Sequence, residues 1–581
     1  MILGIDVGGT HTDGVLVDKE ISGTELQYKI ESTKKVVTDH NNLKNSVLKI
    51  IDKLTGNINN NNVERVVLST TLVTNVIYED KYDPVGLILI PGPGLNPEYF
   101  KYGEENYIID GYIDHRGNEV KSISRKEVIK ALEKLKEKDI NKIAVIGKFS
   151  VRNPTHENKI KEIIKDENYN FKTVTLGHKL SGNLNFHRRI ITAYYNSAVS
   201  TVHQNFINSI KKSLQERNID AELYLLKSDG GTIALDKSRN IPIKTVNSGP
   251  AASIMGTMAL KDNDNTGVAI DIGGTTTDIG LFINGEPAFM PKGIKINGFP
   301  TLIRGLYSVS IPVGGDSEVN INNGEINIGP QRKGPAAALG GPVPTPTDAL
   351  LILGQIKKDK NHTVDFDIGK AESAFLSLKE NTDYKKYNLK KFAEVVIEKT
   401  TKMIKKTIIN ILEKMKNKPV YTISELLEKP EIEPEFLIGI GGPASSIVGI
   451  IAEKLNYSPE IPVHSKVANA LGVAFSHPTL ETTVRADTAR GKLNIVEAGI
   501  HRNIKDDYFD INKAEELAKE WTIKRFGNEE YPLEIISRES FNVIRNFRTL
   551  GKIMEIKVQI KPGLIADFRG GNIILWEIQK N

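Results

Sequence analysis

The sequence predicts an α/β protein of two duplicated lobes with a small C-terminal module. Two observations carry that reading. Short β-branched runs alternate with helical patterns along the whole chain, the signature of layered sheets and helices. A glycine-rich hairpin also occurs twice: Ile5-Asp6-Val7-Gly8-Gly9-Thr10-His11-Thr12-Asp13-Gly14 returns as Ile270-Asp271-Ile272-Gly273-Gly274-Thr275-Thr276-Thr277-Asp278-Ile279-Gly280. Two copies of one unit imply duplicated lobes. A length of 581 residues exceeds what one hydrophobic core supports.

Taken in order, strands are expected at 2–6, 63–69, 85–90, 143–146, 223–226, 267–272 and 435–440. Each hairpin continues into a second strand, at 15–17 and 281–283. Helical periodicity marks 43–53, 125–138, 156–165, 192–214 and 389–415. Residues 57–62 and 357–363 are polar and read as loops. Composition is that of a globular enzyme, 39% hydrophobic and 26% charged. A net charge of +5 over this length gives no basic stripe for nucleic acid. The absence of cysteine excludes disulfides, thiolate metal sites and cysteine nucleophiles. Residues 1–6 run straight into a strand, so no signal peptide is expected. The longest apolar stretch, 436–455, is broken by Gly439, Gly441, Gly442 and Pro443 and carries Glu453. It does not read as a membrane span, and a cytoplasmic protein is expected.

The hairpin tips carry the chemistry. Glycines let backbone N–H groups approach phosphate oxygens closely, and threonine hydroxyls add uncharged donors. Gly8, Gly9, Thr10 and Thr12 in one tip, and Gly273, Gly274, Thr275 and Thr276 in the other, are candidate phosphate ligands. Asp6 and Asp271 end the strands, where a carboxylate holds Mg²⁺ through water and organises the attacking group. A tight turn explains one such tip, with Asp bonding its own backbone; a matched pair favours phosphate. A third segment, Gly439-Ile440-Gly441-Gly442-Pro443, joins a strand to a helix, and Gly441, Gly442 and Pro443 fit an adenosine. Phosphate, phosphate and adenosine in that order indicate two actin-like (ribonuclease H-like) lobes around a nucleotide cleft, using ATP and Mg²⁺. Small-residue helices at 248–258 and 468–474 suit a close crossing at a hinge between such lobes.

Four further acids are placed on the substrate side of the cleft: Asp13, Asp278, Asp316 and Asp348. Asp13 and Asp278 equally serve to brace the hairpins, and an N-cap role alone accounts for Asp348. His187-Arg188-Arg189 reads as a solvated cluster, and His115 and His156 as structural histidines.

The hairpin at 4–14, Ser69-Thr70-Thr71-Leu72-Val73-Thr74-Asn75, Asp114-His115-Arg116-Gly117 and Arg152-Asn153-Pro154-Thr155-His156-Glu157 together resemble the hydantoinase A/5-oxoprolinase family. Ser228-Asp229-Gly230-Gly231, Ser248-Gly249-Pro250-Ala251-Ala252, 271–278, 329–331, 334–336 and 346–354 extend the resemblance over about residues 1–480. It implies ATP-dependent opening of a cyclic amide or imide such as a hydantoin or 5-oxoproline, in which phosphorylating the carbonyl oxygen creates a leaving group. It also implies a hydantoinase B-like second subunit, or a homo-oligomer. The sequence departs from the family pattern at His11, usually aromatic, and at 313–317, usually richer in glycine. It also departs at 336–342, which is shorter and lacks a Cys-Tyr, and in the last hundred residues. The rivals are a small-molecule kinase, an ATP-driven conformational partner and an acetone-carboxylase-like subunit. The domains expected are an N-terminal lobe at 1–180, a second lobe at 181–480 and a module at 481–581. Within the module, a helix at 512–526 and strands at 541–548 and 552–560 are expected. There Val543, Ile553, Ile556 and Val558 would share one face, and the module would dock rather than catalyse.

Overall fold

The computed structural model describes residues 1–575 apart from 23–24, 40–41, 57, 59, 95, 357–365, 381, 418–431, 506–507, 528–530 and 570–571. The polar interval at 357–363 therefore lies outside the described residues.

Two sheets share one pairing pattern. In the first, Ile2–Val7 lies between an antiparallel partner, His11–Ser22, and a parallel one, Arg65–Thr70. Glu222–Leu226 then adds in parallel to Arg65–Thr70. In the second, Gly267–Ile272 lies between antiparallel Thr277–Ile283 and parallel Phe436–Ile440, with Ser458–Glu460 added beyond. This repeated order, one hairpin followed by parallel strands, is the ribonuclease H-like arrangement of actin-like lobes. Apart from Asp6 and Asp271 near their ends, both central strands are apolar, because a strand covered on both faces needs apolar side chains on both.

The division expected at residue 180 does not follow the sheets. Glu222–Leu226 and Thr232–Ala234 complete the first sheet, although they lie beyond that boundary in sequence. Between its strands the chain inserts a parallel four-stranded sheet, ordered Thr173–Leu176, Lys142–Gly147, Val85–Ile90 and Glu105–Ile108. The thirty-residue helix Phe186–Gln215 packs against that sheet. Arg189, expected on the surface, is fully buried in that helix and donates to the carbonyls of Asn183, Leu184, Gly147 and Lys148. Four carbonyls satisfy both terminal nitrogens of the guanidinium, while its Nε is buried without a partner.

Helices Ser248–Leu260 and Ala468–Phe475 lie in one core between the two sheets. Their small residues are required by distance. A Cβ at Gly256 would stand 2.3 Å from the Ala468 carbonyl oxygen, and one at Gly472 would stand 2.1 Å from the Gly256 nitrogen. A Cβ at Gly4 would meet the Ala470 carbonyl oxygen at 2.3 Å, so the second helix also lies flush on the first sheet.

The C-terminal module is an antiparallel five-stranded sheet packed against one helix, Ile511–Phe526. The run 541–548 is not one strand. Leu533–Arg545 and Arg548–Ile560 form a hairpin whose turn, Asn546 and Phe547, has positive φ. The buried alternation is Met554, Ile556, Val558 and Ile560, so Ile553 faces the opposite side. A strand changes face at every residue, and 553 is out of phase with 556 and 558. The module docks on the first lobe, where Arg116 holds Asp487 through two nitrogens at 2.7 to 3.1 Å and Gln559 donates to Asp229 at 3.0 Å. Gln559 also accepts at 3.0 Å from Arg304, which lies between strands of the second sheet.

Candidate nucleotide and acceptor site

Each hairpin tip closes on itself in the same way. Gly8 N–H donates to the His11 carbonyl at 3.1 Å, and Gly273 N–H to the Thr276 carbonyl at 2.9 Å. A following segment then clasps each tip. Thr38 donates from its hydroxyl to the Gly8 carbonyl and from its N–H to the Thr10 carbonyl. In the other copy, Gly315 and Asp316 N–H groups donate to the Gly273 and Gly274 carbonyls. The two tips face each other, since a Cβ at Gly274 would lie 3.7 Å from Thr10 Cγ2.

The predicted ligands divide accordingly. Gly8, Gly9, Thr10, Gly273, Gly274, Thr275 and Thr276 lie at the tips, part or fully exposed. Thr12 does not join them. It is fully buried, with its hydroxyl 3.0 Å from that of Thr38, because the strand's alternation turns position 12 inward. Thr277 occupies the equivalent place and donates to the Val313 carbonyl.

The two strand-end carboxylates converge on shared partners. Ser253 donates to Asp271 at 2.6 Å and Asn469 donates to the same oxygen at 2.9 Å. Asn469 also serves Asp6, with Ser69. Burial pushes the Asp6 carboxyl up to about 7. The Ser69 hydrogen bond opposes this, repulsion from Asp13 and Asp271 adds to it, and Asn469 opposes it again. Asp278 is likewise pushed up to about 7, first by burial and then by Asp271, against a Ser310 hydrogen bond. Oδ1 of Asp6 and Oδ1 of Asp278 are buried with no hydrogen-bond partner. Buried carboxylate oxygens without donors fit a hard divalent cation. Among the described residues no group of three or more His, Asp or Glu residues is placed to hold a metal unaided. Phosphate oxygens and waters would have to complete any Mg²⁺ shell.

Asp13 sits opposite Asp6 in the hairpin and is braced by Lys35 at 3.0 Å. Asp316 stands beside the second tip, its carboxyl raised by burial despite Arg332 at 3.0 Å. Asp348 is not on the cleft surface. It is fully buried and accepts from Ala337 and Ala338 N–H at 3.0 and 2.8 Å. Its helix position is also one turn in: Thr345 is the N-cap and Asp348 the third residue of a capping box.

The third motif abuts the second hairpin. Gly441 has φ of +92°, and a Cβ there would lie 2.5 Å from the Ile272 carbonyl oxygen and 2.7 Å from Asp271 Oδ1. A Cβ at Gly442 would meet no protein atom within 4 Å. Pro443 leads into helix Ala444–Leu455 and packs on Gly315. On the other side, Asp278 pairs with Ser310 across the strands, and Ser310 lines a cavity of about 830 Å³. Met290, Ile294 and Leu306 give that cavity apolar wall, while Ser228, Asn247 and Ser308 give it polar groups. Its size and mixed lining suit a small molecule.

Reading the sequence alone missed Ser253, Asn469 and Ser310 as the groups that hold these acids. The first two carried a signal, being the polar residues inside otherwise small and apolar helices.

Comparison with known proteins agrees with this geometry. Residues 2–168 match the family model described as hydantoinase/oxoprolinase N-terminal region, and residues 189–482 match that of hydantoinase/oxoprolinase. An uncharacterized protein of Methanocaldococcus jannaschii is 24% identical over 554 residues, 88% of this chain and 76% of its own. Caprolactamase subunit alpha of Pseudomonas jessenii is 25% identical over 393 residues, 61% of this chain and 54% of its own length. A nucleotide-free acetone carboxylase structure shares the fold, with TM-score 0.68 at 15% identity over 97% of this chain and 88% of that one.

Proposed function

This chain belongs to the hydantoinase/oxoprolinase family, and we propose that it uses ATP to open a cyclic amide or imide, alone or as the ATPase subunit of such an enzyme. One observation carries the reading. Two Asp-x-Gly-Gly hairpins face each other, and Asn469 joins their carboxylates. Beside them lies an acceptor-sized cavity.

In this reading the tip glycines and Thr10, Thr275 and Thr276 receive the β- and γ-phosphates, and Gly441 to Pro443 receive the adenosine. Asp6 and Asp271 hold Mg²⁺, which neutralises charge on the phosphates when bound. Asn469 and Ser253 fix the Asp271 carboxylate in one rotamer, so its orientation is set before the substrate arrives. The acceptor ring lies in the cavity beside Ser310, its carbonyl directed toward the γ-phosphate. Asp278, with a carboxyl that gains or loses its proton near neutrality, supplies a base on that side. Net reaction joins two waters and one ATP to the ring, one water opening the amide and one taken up in releasing phosphate, giving the ring-opened acid, ADP and phosphate. The caprolactamase relative supports a cyclic-amide acceptor, and that relative's being a subunit supports a hydantoinase B-like partner.

The test is ATP turnover with a panel of hydantoins and lactams, with and without co-purifying proteins. Ring-opened product formed in step with ADP is expected. A phosphorylated product stable in water points to a kinase, and ATP turnover needing bicarbonate and a ketone points to a carboxylase. Turnover without any acceptor points to a conformational partner. Each of these three results overturns the proposal.

A further inference from the structure

A second cavity, of about 660 Å³, lies at the seam between the N-terminal lobe and the C-terminal module. It shares no lining residue with the acceptor cavity. Arg116, Arg152 and Lys179 line it from the lobe; Arg485, Arg490 and Lys492 line it from the module. The single carboxylate in its wall is Asp487, and Arg116 already engages that group bidentately. Glu555 pairs with Arg485 through one nitrogen at 2.8 Å. The other terminal nitrogen of Arg485 has no hydrogen-bond partner, although the side chain is only 8% exposed. Nε of Arg152 is also buried without a partner. Burial, then repulsion from Arg485, holds the Arg152 guanidinium down at about 10.

Guanidinium groups buried beside each other with donors unspent are costly, and an anion offering several oxygens relieves both deficits. The charges converge on a concavity rather than along an extended stripe, which favours a compact ligand over a polymer. The lining holds no Phe, Tyr or Trp, and the rings it offers are the imidazoles of His115, His178 and His501. We propose that this seam cavity binds a small polyanion, carrying two or more phosphate or carboxylate groups, at a site separate from the nucleotide cleft. Cations from both sides contact one ligand, so its occupancy ties the module to the lobe.

Calorimetric titration of the full chain with inorganic pyrophosphate, and separately with citrate, tests this in Mg²⁺-free buffer. At least one is expected to bind with Kd below about 100 µM; which one binds tighter identifies phosphate or carboxylate as the preferred group. Arg152→Ala should weaken that binding about tenfold or more. Lys179→Glu and Lys492→Glu, at exposed positions that do not endanger folding, should each weaken it about three- to tenfold and flatten its salt dependence. Affinity for a non-hydrolysable ATP analogue with Mg²⁺ should be unchanged in all three variants. Three results overturn the proposal: neither anion binds; binding persists undiminished in the variants, which puts it elsewhere; or a single-stranded oligonucleotide depends on these residues and outcompetes both anions.

Discussion

Buried carboxylates occur in two regions of this protein with opposite electrostatics. In the cleft, Asp6 and Asp278 are buried without a cation nearby, and both carboxyls are pushed up to about 7. At the module seam, burial also pushes Glu481 up, but Lys244, Lys557 and Lys227 outweigh it and hold the carboxyl well below its usual range. Lys557 approaches Glu481 to 2.8 Å from the module and Lys244 to 3.3 Å from the lobe. The Glu481 cluster is electrostatically complete within the chain, whereas the cleft is complete only when a cation joins it. Charge around Glu481 therefore serves folding, and charge at the cleft is reserved for a ligand.

The largest expected effect breaks the seam. Glu481→Gln leaves two buried lysines short of their counter-charge and should cost about 3–5 kcal/mol in urea unfolding. The folded fraction should keep its affinity for an ATP analogue; loss of both together would mean that the two regions are not independent.

Asp271→Asn tests the cleft. It should lower Mg²⁺-dependent ATP turnover about 10²–10³-fold, equivalent to about 3–4 kcal/mol, with circular dichroism and Tm unchanged. Unaltered turnover in the folded variant would remove Asp271 from the site.

A smaller effect concerns pH. Asp278 has a folded pKa near 7 against 3.8 for the free side chain. Between those values the folded state keeps a proton that the unfolded chain has released, so stability falls as pH rises through this window. Asp278→Asn mimics the protonated acid. It should therefore gain stability over wild type at pH 8, by about 1–2 kcal/mol without Mg²⁺, and match it at pH 4. Equal Tm differences at both pH values would show that Asp278 is not uncompensated.

The smallest effect sharpens the adenosine assignment. Gly442→Val should weaken binding of an ATP analogue about tenfold, or about 1.4 kcal/mol, without loss of stability, because a Cβ at this position meets no protein atom within 4 Å. Gly441 cannot provide the same test, since its positive φ and the nearby Ile272 carbonyl would disturb folding directly. Full affinity in Gly442→Val would return 441–443 to a plain turn.

Local pattern made much of the framework legible. Strands 85–90 and 267–272 match the observed bounds because β-branched runs ended by turn residues leave little choice of register. The duplicated hairpin was legible because it is a repeat of residues, and its pairing pattern is indeed duplicated. Position 12 was misjudged because a hydroxyl in a glycine-rich tip reads the same whether it faces phosphate or Thr38. Asp348 was misplaced by one turn for a similar reason: Thr345 and Asp348 both qualify as capping residues, and only backbone geometry distinguishes N-cap from N3.

By itself, the sequence determined the local units: the hairpins, the small-residue helices and the strand-to-helix turn at 441–443. Their information lies in neighbouring residues, where side-chain shape and backbone freedom act over a few positions. Tertiary structure alone decided which distant groups meet. It brought Asn469 to both Asp6 and Asp271, carried 222–234 into the first sheet, and set Arg152 beside Arg485. Burial and charge are properties of that assembly. A carboxylate titrates near 7 or far below its usual range according to whether lysines from elsewhere in the chain fold against it.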